Sequence, residues 1–189
     1  MSTPDELLSQ FQAVGSDLYT RGIVSVHGGN LSARQEDKLV ITRSGSRLGY
    51  LEQADLIATG VATDDENTRL ASTEIGVHRA IYTKTLFKAV VHSHPIHAVA
   101  LSFTGDQILP QDEGGKLFMP RVPVVGSGRE PMPGGFADEI AEALQTHGVV
   151  VVHRHGCFAR GMTLAEAYVI TELLEISSRI LCLVQGLKP

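Results

Sequence analysis

The sequence predicts an α/β protein whose central sheet is at least partly antiparallel and carries helices on its faces. Segments with apolar residues at helical spacing alternate irregularly with short strand-like runs, which is typical of a sheet covered by helices. Residues 30–34 and 38–42 are two such runs separated by a short polar turn, which indicates a hairpin early in the chain. These two observations together predict the fold class.

Five segments of the chain are predicted to be helices. In the first, Thr3 and Glu6 can form a capping box around Pro4 at the first helical position, and Gly22 ends the run. The second begins near Ser72 or its neighbour, where hydroxyl side chains can cap a helix N-terminus. The predicted helices span approximately residues 4–21, 72–85, 96–101, 136–146 and 164–184.

Five further segments are predicted to be strands, at residues 30–34, 38–42, 87–91, 121–125 and 148–153. Residues 104–120 are rich in turn-forming residues, and residues 127–135 are predicted to be a loop because glycine and proline dominate them. The chain shows no repeat, low-complexity segment or compositional boundary. We therefore expect residues 1–189 to form a single domain.

The composition argues against several classes of function. Lysine and arginine are scattered and the formal net charge is −5, so we expect neither nucleic acid nor a membrane as a partner. Only two cysteines occur, without a CxxC pair, which argues against a zinc ribbon and favours a reducing compartment. No apolar run reaches the length of a membrane span, and the polar N-terminus lacks signal-peptide features. We expect a cytoplasmic protein.

Histidines occur in two pairs at the ends of predicted strands. His92 and His94 follow one apolar run, and His153 and His155 follow a run of valines. Side chains two apart on a strand point the same way, so such a pair can present two nitrogens to one site. A catalytic metal needs about three protein ligands, and we expect the third from the second pair. His155 is favoured because Gly156 lets the backbone turn there, and His153 is the substitute.

The expected ion follows from the type of ligand. Imidazole suits Zn²⁺, copper, iron or nickel, and Zn²⁺ is the expected cofactor. Cys157 lies two residues past His155 and stays open as a ligand. Glu74, at the start of the second predicted helix, is the leading carboxylate to complete the site. His97 lies one turn beyond the first pair and is predicted to have a structural role.

Three segments combine small residues with hydroxyl or amide side chains, at residues 27–30, 44–46 and 72–74. Glycines let backbone N–H groups approach an anion, and Ser, Thr and Asn add short donors. Ser72 and Thr73 also precede a helix, whose N-terminus favours a phosphate. None of the segments matches the P-loop or the dinucleotide-binding pattern. Near a metal site, they indicate a phosphate-bearing ligand.

These residues, taken together, resemble the class II aldolase/adducin family. The resemblance runs from about residue 15 to residue 183, and its most specific parts are GGNLSAR, ITRSG, STE, HSHP and HGCFARG in this order. It implies a three-layer α/β/α fold with a mostly antiparallel sheet and assembly as a homotetramer. It also implies a zinc-dependent aldolase of the L-fuculose-1-phosphate type, which reversibly cleaves a ketose 1-phosphate to dihydroxyacetone phosphate and an aldehyde.

The resemblance also implies roles for individual residues. Zn²⁺ would be held by His92, His94 and His155. Glu74 would coordinate the resting ion and act as the catalytic base. The residues implied to hold the substrate phosphate are Gly29, Asn30, Ser44, Gly45, Ser72 and Thr73.

One departure from the family concerns the proton donor. Related aldolases carry a tyrosine in the loop that corresponds to ILPQDEGG, and this chain has none there. Asp112 and Glu113 are the possible donors that the loop offers instead.

Other activities stay open at this point. A sugar-phosphate 4-epimerase or a dehydratase of the methylthioribulose-1-phosphate type would use the same metal site. A non-enzymatic, adducin-like assembly module is disfavoured because all three matching histidines and Glu74 are present. A Schiff-base aldolase needs a lysine in an apolar pocket, and the five lysines lie in polar surroundings or at element ends.

Overall fold

The computed structural model describes residues 3–127 and 136–187. Within these residues the helices are α1 (Pro4–Thr20), α2 (Ile75–Lys84), α3 (Ile96–Ser102), α4 (Glu113–Phe118), α5 (Ala137–Thr146) and α6 (Leu164–Gly186). The strands are β1 (Asn30–Gln35), β2 (Lys38–Thr42), β3 (Leu56–Gly60), β4 (Ala89–Ser93), β5 (Gln107–Ile108), β6 (Val122–Val125), β7 (Val149–Val152) and β8 (Gly156–Gly161). Most of the loop predicted at residues 127–135 lies outside the described residues.

The described strands form one eight-stranded sheet in the order β3-β2-β1-β4-β8-β7-β6-β5. Neighbouring strands are antiparallel except β6 and β7, which run parallel. The predicted hairpin is confirmed as β1 and β2. The α/β class with a mostly antiparallel sheet is confirmed as well, and β4 lies near the middle of the sheet between β1 and β8.

Helices pack against both faces of this sheet. Val90 of β4 belongs to an apolar cluster that includes Ile81 of α2 and residues of α5. Its neighbour Val91 belongs to a separate cluster with Phe11 of α1 and residues of α6. Successive side chains of a strand point to opposite faces, so the alternation of valines in β4 supplies both cores. By the same rule His92, two residues after Val90, faces the side of the sheet that α2 covers.

The first helix forms as the sequence predicts. The backbone N–H of Thr3 donates to Glu6 Oε2 at 2.8 Å, and the N–H of Glu6 donates to Thr3 Oγ1 at 3.3 Å. This reciprocal capping box satisfies two N–H groups that the helix itself leaves unpaired. The helix ends at Thr20, and Gly22 follows with a φ of 68°, a conformation that glycine adopts without strain.

Four elements of the structure were not predicted from the sequence: β3, β5, β8 and α4. Helix α4 lies in the segment predicted to be turn-rich, because two of its six residues are glycines, which weaken a helical pattern. Asp112 caps this short helix by accepting a hydrogen bond from the N–H of Gly115 at 2.8 Å. Strand β8 carries a glycine at each end, which masks its pattern, although Cys157 and Phe158 within it are buried. Tertiary burial rather than local preference makes these segments regular.

Two predicted boundaries differ from the structure. Helix α2 begins at Ile75 and not near residue 72, because residues 72–74 form a turn in which the N–H of Ile75 donates to the carbonyl of Ser72. Strand β7 ends at Val152, so His153 and His155 lie in the turn to β8 and not on the strand. Both shifts matter for the site, since they place Glu74 and His155 on turns.

Helix α6 has 23 residues and begins at Leu164, and the side chain of the N-cap residue Thr163 accepts a hydrogen bond from the N–H of Glu166. One side of the helix buries Leu174 in the core, whereas Ile176 and Leu183 are exposed. In the part of the chain that the structure describes, none of the helices combines the length and the apolar character needed to cross a bilayer.

Candidate metal centre

Strand β4 delivers the first two histidines to one place. His92 is the penultimate residue of the strand and is buried, and His94 follows directly after it. The backbone N–H of His94 donates to the carbonyl of Ile23 at 3.0 Å, which fixes the chain where it leaves the sheet. Pro95 then starts the connection to α3. The two imidazoles therefore sit at the end of a strand whose backbone is held on both sides.

The third histidine arrives from the turn between β7 and β8. Its N–H donates to the carbonyl of Val152 at 3.0 Å, and Arg154 before it has a φ of 61°. Because β8 pairs with β4 through Cys157 and Ser93, this turn lies beside the His92–His94 segment. The metal-ligating atoms of His92, His94 and His155 all lie within 4.8 Å of one another. The predicted convergence of these three side chains is thus present.

The spacing of the ring nitrogens suits a metal ion. The Nε2 atoms of His92 and His94 are 3.0 Å apart. Two nitrogens bound to one tetrahedral zinc ion at normal bond lengths lie about 3.3 Å apart. The three rings pack at centroid distances of 4.8, 5.0 and 5.3 Å, so they surround a common point. Three imidazoles converging in this way fit an ion such as Zn²⁺.

The orientation of His92 is set by its neighbours. Its Nδ1 lies 2.9 Å from the carbonyl oxygen of Cys157. A carbonyl can only accept, so Nδ1 carries the proton and donates, and Nε2 keeps its lone pair toward His94 and Glu74. The ring also stacks on Phe158 at a centroid distance of 4.2 Å. This is the tautomer that a metal ligand requires.

Glu74 lies against the histidines from the start of α2. Its Oε2 is 3.0 Å from His92 Nε2, and its Oε1 is 3.6 Å from His155 Nε2. Burial alone would raise the pKa of Glu74, but the close contact with His92, the hydrogen bond from the Asn30 amide and the proximity of His155 lower the pKa to about 2. The side chain is therefore a carboxylate at neutral pH and offers oxygen atoms to the centre.

His94 and His155 are in turn held neutral. Burial lowers the pKa of His94 to about 4, and its neighbours His92 and His155 act in the same direction. Burial also lowers the pKa of His155, with His92 as the second cause. Neutral imidazoles are the form that binds metals, so the environment favours ligation at neutral pH without a competing proton.

Two glycines leave room for the rings. A Cβ atom on Gly156 would lie 2.3 Å from the Ser93 carbonyl oxygen and 2.6 Å from Cδ2 of His94. A Cβ atom on Gly28 would lie 2.9 Å from Nδ1 of His94. Both distances are too short for a real contact, so only glycine fits at these positions. The sequence analysis did not assign this role to Gly28, although the adjacent glycine pair was its signal.

The structure brings the three predicted phosphate loops together beside Glu74. His27 Nδ1 lies 3.1 Å from the carbonyl oxygen of Gly45, joining the first loop to the second. The N–H of Ser44 donates to the Leu70 carbonyl at 3.0 Å, and the Ser72 hydroxyl accepts from the N–H of Glu74 at 3.3 Å. The six residues predicted for phosphate range from exposed to buried: Gly29, Asn30, Ser44, Gly45, Ser72 and Thr73. Their role stays a prediction.

The two remaining histidines of the predicted motifs lie outside the metal group and form hydrogen bonds elsewhere. His153, the substitute ligand, is outside the group, and its Nδ1 donates to the carbonyl of Ser102 at 2.7 Å. His97 Nδ1 lies 2.6 Å from a carboxylate oxygen of Glu175, which ties α3 to α6.

The possible proton donors lie at the start of α4. Asp112 directs one carboxylate oxygen to the cap of that helix, and Glu113 is exposed in its first turn. Their role as proton donors stays a prediction.

A buried polar group behind Glu74 was missed by the sequence analysis. Asn30 contacts Glu74 and also His78, and His78 contacts the Ser32 hydroxyl, which meets the hydroxyl of Tyr82. The available signal was helical spacing, since residues four and eight positions after Glu74 fall on one face of α2. Burial lowers the pKa of His78 to about 3, so this ring is neutral inside the core.

Comparisons with known proteins match this chain over nearly its whole length. Residues 9–182 match the family described as Class II Aldolase and Adducin N-terminal domain. An L-fuculose phosphate aldolase of Methanococcus vannielii is 30% identical over 171 residues, covering 89% of this chain and 91% of the relative. The structure of L-fuculose-1-phosphate aldolase from Thermus thermophilus has a TM-score of 0.87 and 36% identity, and the match covers 97% of each chain. A 3-oxo-tetronate 4-phosphate decarboxylase of Cupriavidus necator is 37% identical over 117 residues, which cover 58% of this chain and 53% of the relative.

Proposed function

The chain belongs to the class II aldolase and adducin N-terminal domain family, and from this premise we propose that it is a zinc-dependent aldolase. The reaction is the reversible cleavage of a ketose 1-phosphate of the L-fuculose-1-phosphate type to dihydroxyacetone phosphate and an aldehyde. The observation that carries the proposal is the convergence of three imidazoles with one carboxylate, Glu74. The likeness to L-fuculose-phosphate aldolases supports the substrate class.

The metal would be held by the Nε2 atoms of His92 and His94 together with His155. When bound, it would supply a Lewis acid for the carbonyl and hydroxyl oxygens of the three-carbon fragment. The hydrogen bond from His92 Nδ1 to the Cys157 carbonyl orients that ring before any ion arrives. The protein therefore does not have to reorganise its most buried ligand on binding.

Glu74 would move a proton at C3 of the three-carbon fragment. Breaking the C3–C4 bond of the ketose leaves an electron pair on C3, beside the C2 ketone, and protonation at C3 completes the product. In the condensation direction the same carboxylate removes that proton. Glu74 is ionised at neutral pH, which is the form that can accept a proton, and its position at the N-terminus of α2 directs both oxygens toward the histidines. Asp112 or Glu113 is proposed to donate the proton to the aldehyde oxygen in the condensation direction.

The three loops would anchor the phosphate so that C3 lies beside Glu74. Ser44, Gly45 and Thr73 are exposed and therefore accessible to a ligand. Residues 72–74 link the phosphate loops to the base directly, because Thr73 precedes Glu74 in the same turn. Anchoring a remote group in this way positions the reacting atoms and lowers the entropic part of the barrier.

A decarboxylase acting on a 3-oxo acid phosphate is the second candidate, and the likeness to the Cupriavidus necator enzyme favours it. Loss of CO₂ from a 3-oxo-tetronate 4-phosphate breaks the C1–C2 bond and leaves the electron pair on C2, beside the C3 ketone. Protonation at C2 then yields dihydroxyacetone phosphate. Both reactions therefore need the same Lewis acid and the same proton transfer, and they differ only in the leaving fragment.

The test measures both leaving fragments. Purified protein, stripped of metal with a chelator and reloaded with Zn²⁺, is incubated with a panel of ketose 1-phosphates and with a 3-oxo-tetronate 4-phosphate. Dihydroxyacetone phosphate, free aldehyde and CO₂ are measured separately. Aldehyde release that requires the metal supports the aldolase, and CO₂ release without aldehyde supports the decarboxylase. Conversion of a pentulose phosphate to its 4-epimer would indicate an epimerase, and loss of water from a methylthioribulose phosphate would indicate a dehydratase. Either result would contradict both the aldolase and the decarboxylase.

We propose a three-layer α/β/α single domain that assembles as a cytoplasmic homotetramer. The cores on both sheet faces support the layers, and the exposed apolar side chains Ile176 and Leu183 on α6 support an assembly. Analytical ultracentrifugation measures the oligomeric state directly, and a monomer at micromolar concentration contradicts the tetramer.

A further inference from the structure

A chain of buried hydrogen bonds runs from the core to Glu74. Asn30 Nδ2 lies 2.7 Å from Glu74 Oε2, and Asn30 Oδ1 lies 2.5 Å from His78 Nε2. His78 Nδ1 lies 2.6 Å from the Ser32 hydroxyl, which lies 2.6 Å from the Tyr82 hydroxyl. The four side chains behind Glu74 are at most 6% exposed. Polar groups this deep in a core are costly unless each finds a partner, and here they form a continuous series.

Only one assignment of donors and acceptors satisfies every bond in this series of hydrogen bonds. The Glu74 carboxylate only accepts, so Asn30 must turn its NH₂ group toward it and its carbonyl toward His78. The carbonyl in turn needs a donor, so His78 carries its proton on Nε2 and accepts at Nδ1. The Ser32 hydroxyl therefore donates to His78 and accepts from Tyr82. Every bond thus points from the core toward Glu74.

The two carboxylate oxygens of Glu74 have different surroundings. Oε2 receives the Asn30 amide and lies 3.0 Å from His92. Oε1 lies farther from its nearest histidine, at 3.6 Å from His155 Nε2, and the His155 side chain is 46% exposed. Oε2 is therefore fixed by buried partners, whereas Oε1 lies on the exposed side of the site, near His155.

We propose that His78, supported by Ser32 and Tyr82, is a positioning residue that holds Glu74 through Asn30, so that Oε1 is presented for proton transfer. This inference rests on the proposed function. The His78 ring bonds to Asn30 and Ser32 and to none of the three metal-binding histidines, so it acts through the Asn30 carboxamide. Phe158 packs between the two histidines: its ring contacts the His78 ring edge-on, at a centroid distance of 5.9 Å, and stacks on the His92 ring.

The first test measures the His78 ring in the wild-type protein without metal. Nuclear magnetic resonance of protein labelled with ¹⁵N-histidine distinguishes the two neutral tautomers. We expect the neutral form with the proton on Nε2 at pH 7. A proton on Nδ1, or a doubly protonated ring, would reverse the direction of the chain and overturn the proposal. The result does not depend on activity, so it stands even if the proposed reaction is wrong.

The second test follows the proton that Glu74 moves. Wild-type enzyme loaded with zinc is incubated with dihydroxyacetone phosphate in D₂O, and exchange of the C3 hydrogen is measured together with kcat, KM and zinc content. In His78→Leu we expect exchange and kcat to fall by about 10- to 100-fold, with zinc content and KM nearly unchanged. His78→Gln should recover most of the rate, because the glutamine amide can donate to Asn30 as Nε2 does.

Controls separate positioning from general destabilisation. Thr59→Val removes another buried hydroxyl, which bonds to Asp65 at 2.8 Å and to Thr68 at 2.6 Å outside this chain, and it should leave exchange unchanged. Ser32→Ala should slow exchange less than His78→Leu, and Tyr82→Phe less again, because each lies farther from Glu74. Equal rates in all these variants and the wild type would refute the proposal. If the wild type itself exchanges no hydrogen, the proposed function fails and the tautomer measurement alone decides this inference.

Discussion

At the scale of single residues, the three histidines differ in how firmly they are held. His92 is buried, stacked on Phe158 and bonded to the Cys157 carbonyl, whereas the His155 side chain is 46% exposed. A preorganised ligand loses little freedom when it binds an ion, so His92 should dominate affinity. The exposed side at His155 leaves a path by which substrate can reach the centre.

Replacing one ligand should remove the metal and the activity together. His94→Ala leaves two imidazoles and the Glu74 carboxylate, which is also the proposed base, so we expect bound zinc to fall sharply and aldolase turnover to be lost. Inductively coupled plasma mass spectrometry and the aldehyde assay measure the two effects. His153→Ala is the matched control, because that ring bonds to Ser102 outside the group and should retain both. Zinc at full occupancy in His94→Ala would contradict the assignment.

Replacing the base should separate binding from turnover. Glu74→Gln keeps the size of the side chain but cannot accept a proton, so we expect kcat to fall by about 10²- to 10⁴-fold while zinc remains bound through the histidines. Steady-state kinetics and metal analysis on the same preparation check both parts. A Glu74→Gln enzyme that turns over at the normal rate would exclude Glu74 as the base.

At the scale of elements, the site depends on how β8 pairs with β4. The register that sets Ser93 opposite Cys157 places the β7–β8 turn beside the end of β4. A slip by one residue would turn His92 to the opposite face of the sheet, away from Glu74. Gly156, the first residue of β8, lies where the two backbones approach most closely.

A methyl group at that position should disturb both packing and metal binding. Gly156→Ala places a Cβ atom 2.3 Å from the Ser93 carbonyl oxygen, so backbone must move and we expect a loss of about 1–3 kcal/mol in unfolding free energy. Zinc affinity should weaken as His94 is displaced. Urea unfolding and zinc titration measure these effects. Gly186→Ala, at the end of α6 where nothing lies within 4 Å, is the control and should neither lower the unfolding free energy nor weaken zinc binding.

At the scale of the whole molecule, the sheet brings segments from distant parts of the sequence together at the histidine site. The end of β4, the β7–β8 turn and the start of α2 all meet above the face that carries Val90 and Phe158. The buried chain from Tyr82 to Asn30 lies beneath this point, so the support of the site and the core of the protein are the same structure. Stability and the arrangement of the site should therefore be linked.

The pH dependence of unfolding should report this link. Burial, partly opposed by the Glu74 carboxylate, lowers the pKa of His78 to about 3. The fold therefore binds fewer protons than the unfolded chain, and the contribution is complete above the ordinary histidine pKa and is lost as the pH falls toward 3. Between pH 7 and pH 5 the wild type should lose about 2 kcal/mol more unfolding free energy than His78→Leu. Urea unfolding of metal-free protein measures this difference.

Thr59→Val serves as the control for the pH experiment. It removes a buried hydroxyl whose hydrogen bond lowers the pKa of Asp65, a carboxyl that titrates below pH 5, so between pH 7 and pH 5 its unfolding free energy should depend on pH as that of the wild type does. Parallel curves for the wild type and His78→Leu would contradict the buried, neutral state of His78.

Local signals allowed part of the protein to be predicted from sequence. The capping box of α1, the β1–β2 hairpin and the strand that ends in His92 depend on residues close together in the chain, so periodicity and turn chemistry identify them. The paired histidine motifs predicted the convergence that the structure contains, although His94 directly follows β4 and His155 reaches the site from a turn and not from a strand. The ordered motifs also predicted the family.

Only the tertiary structure decided the features that depend on contacts between distant segments. Asn30 and His78 are separated by 48 positions, and the sequence alone carries no sign that they bond to each other beneath Glu74. Strand β8 was missed because its glycine ends hide a segment that becomes regular only between β4 and β7. The physical reason is that burial and long-range pairing stabilise these residues, and neither quantity exists until the chain has folded.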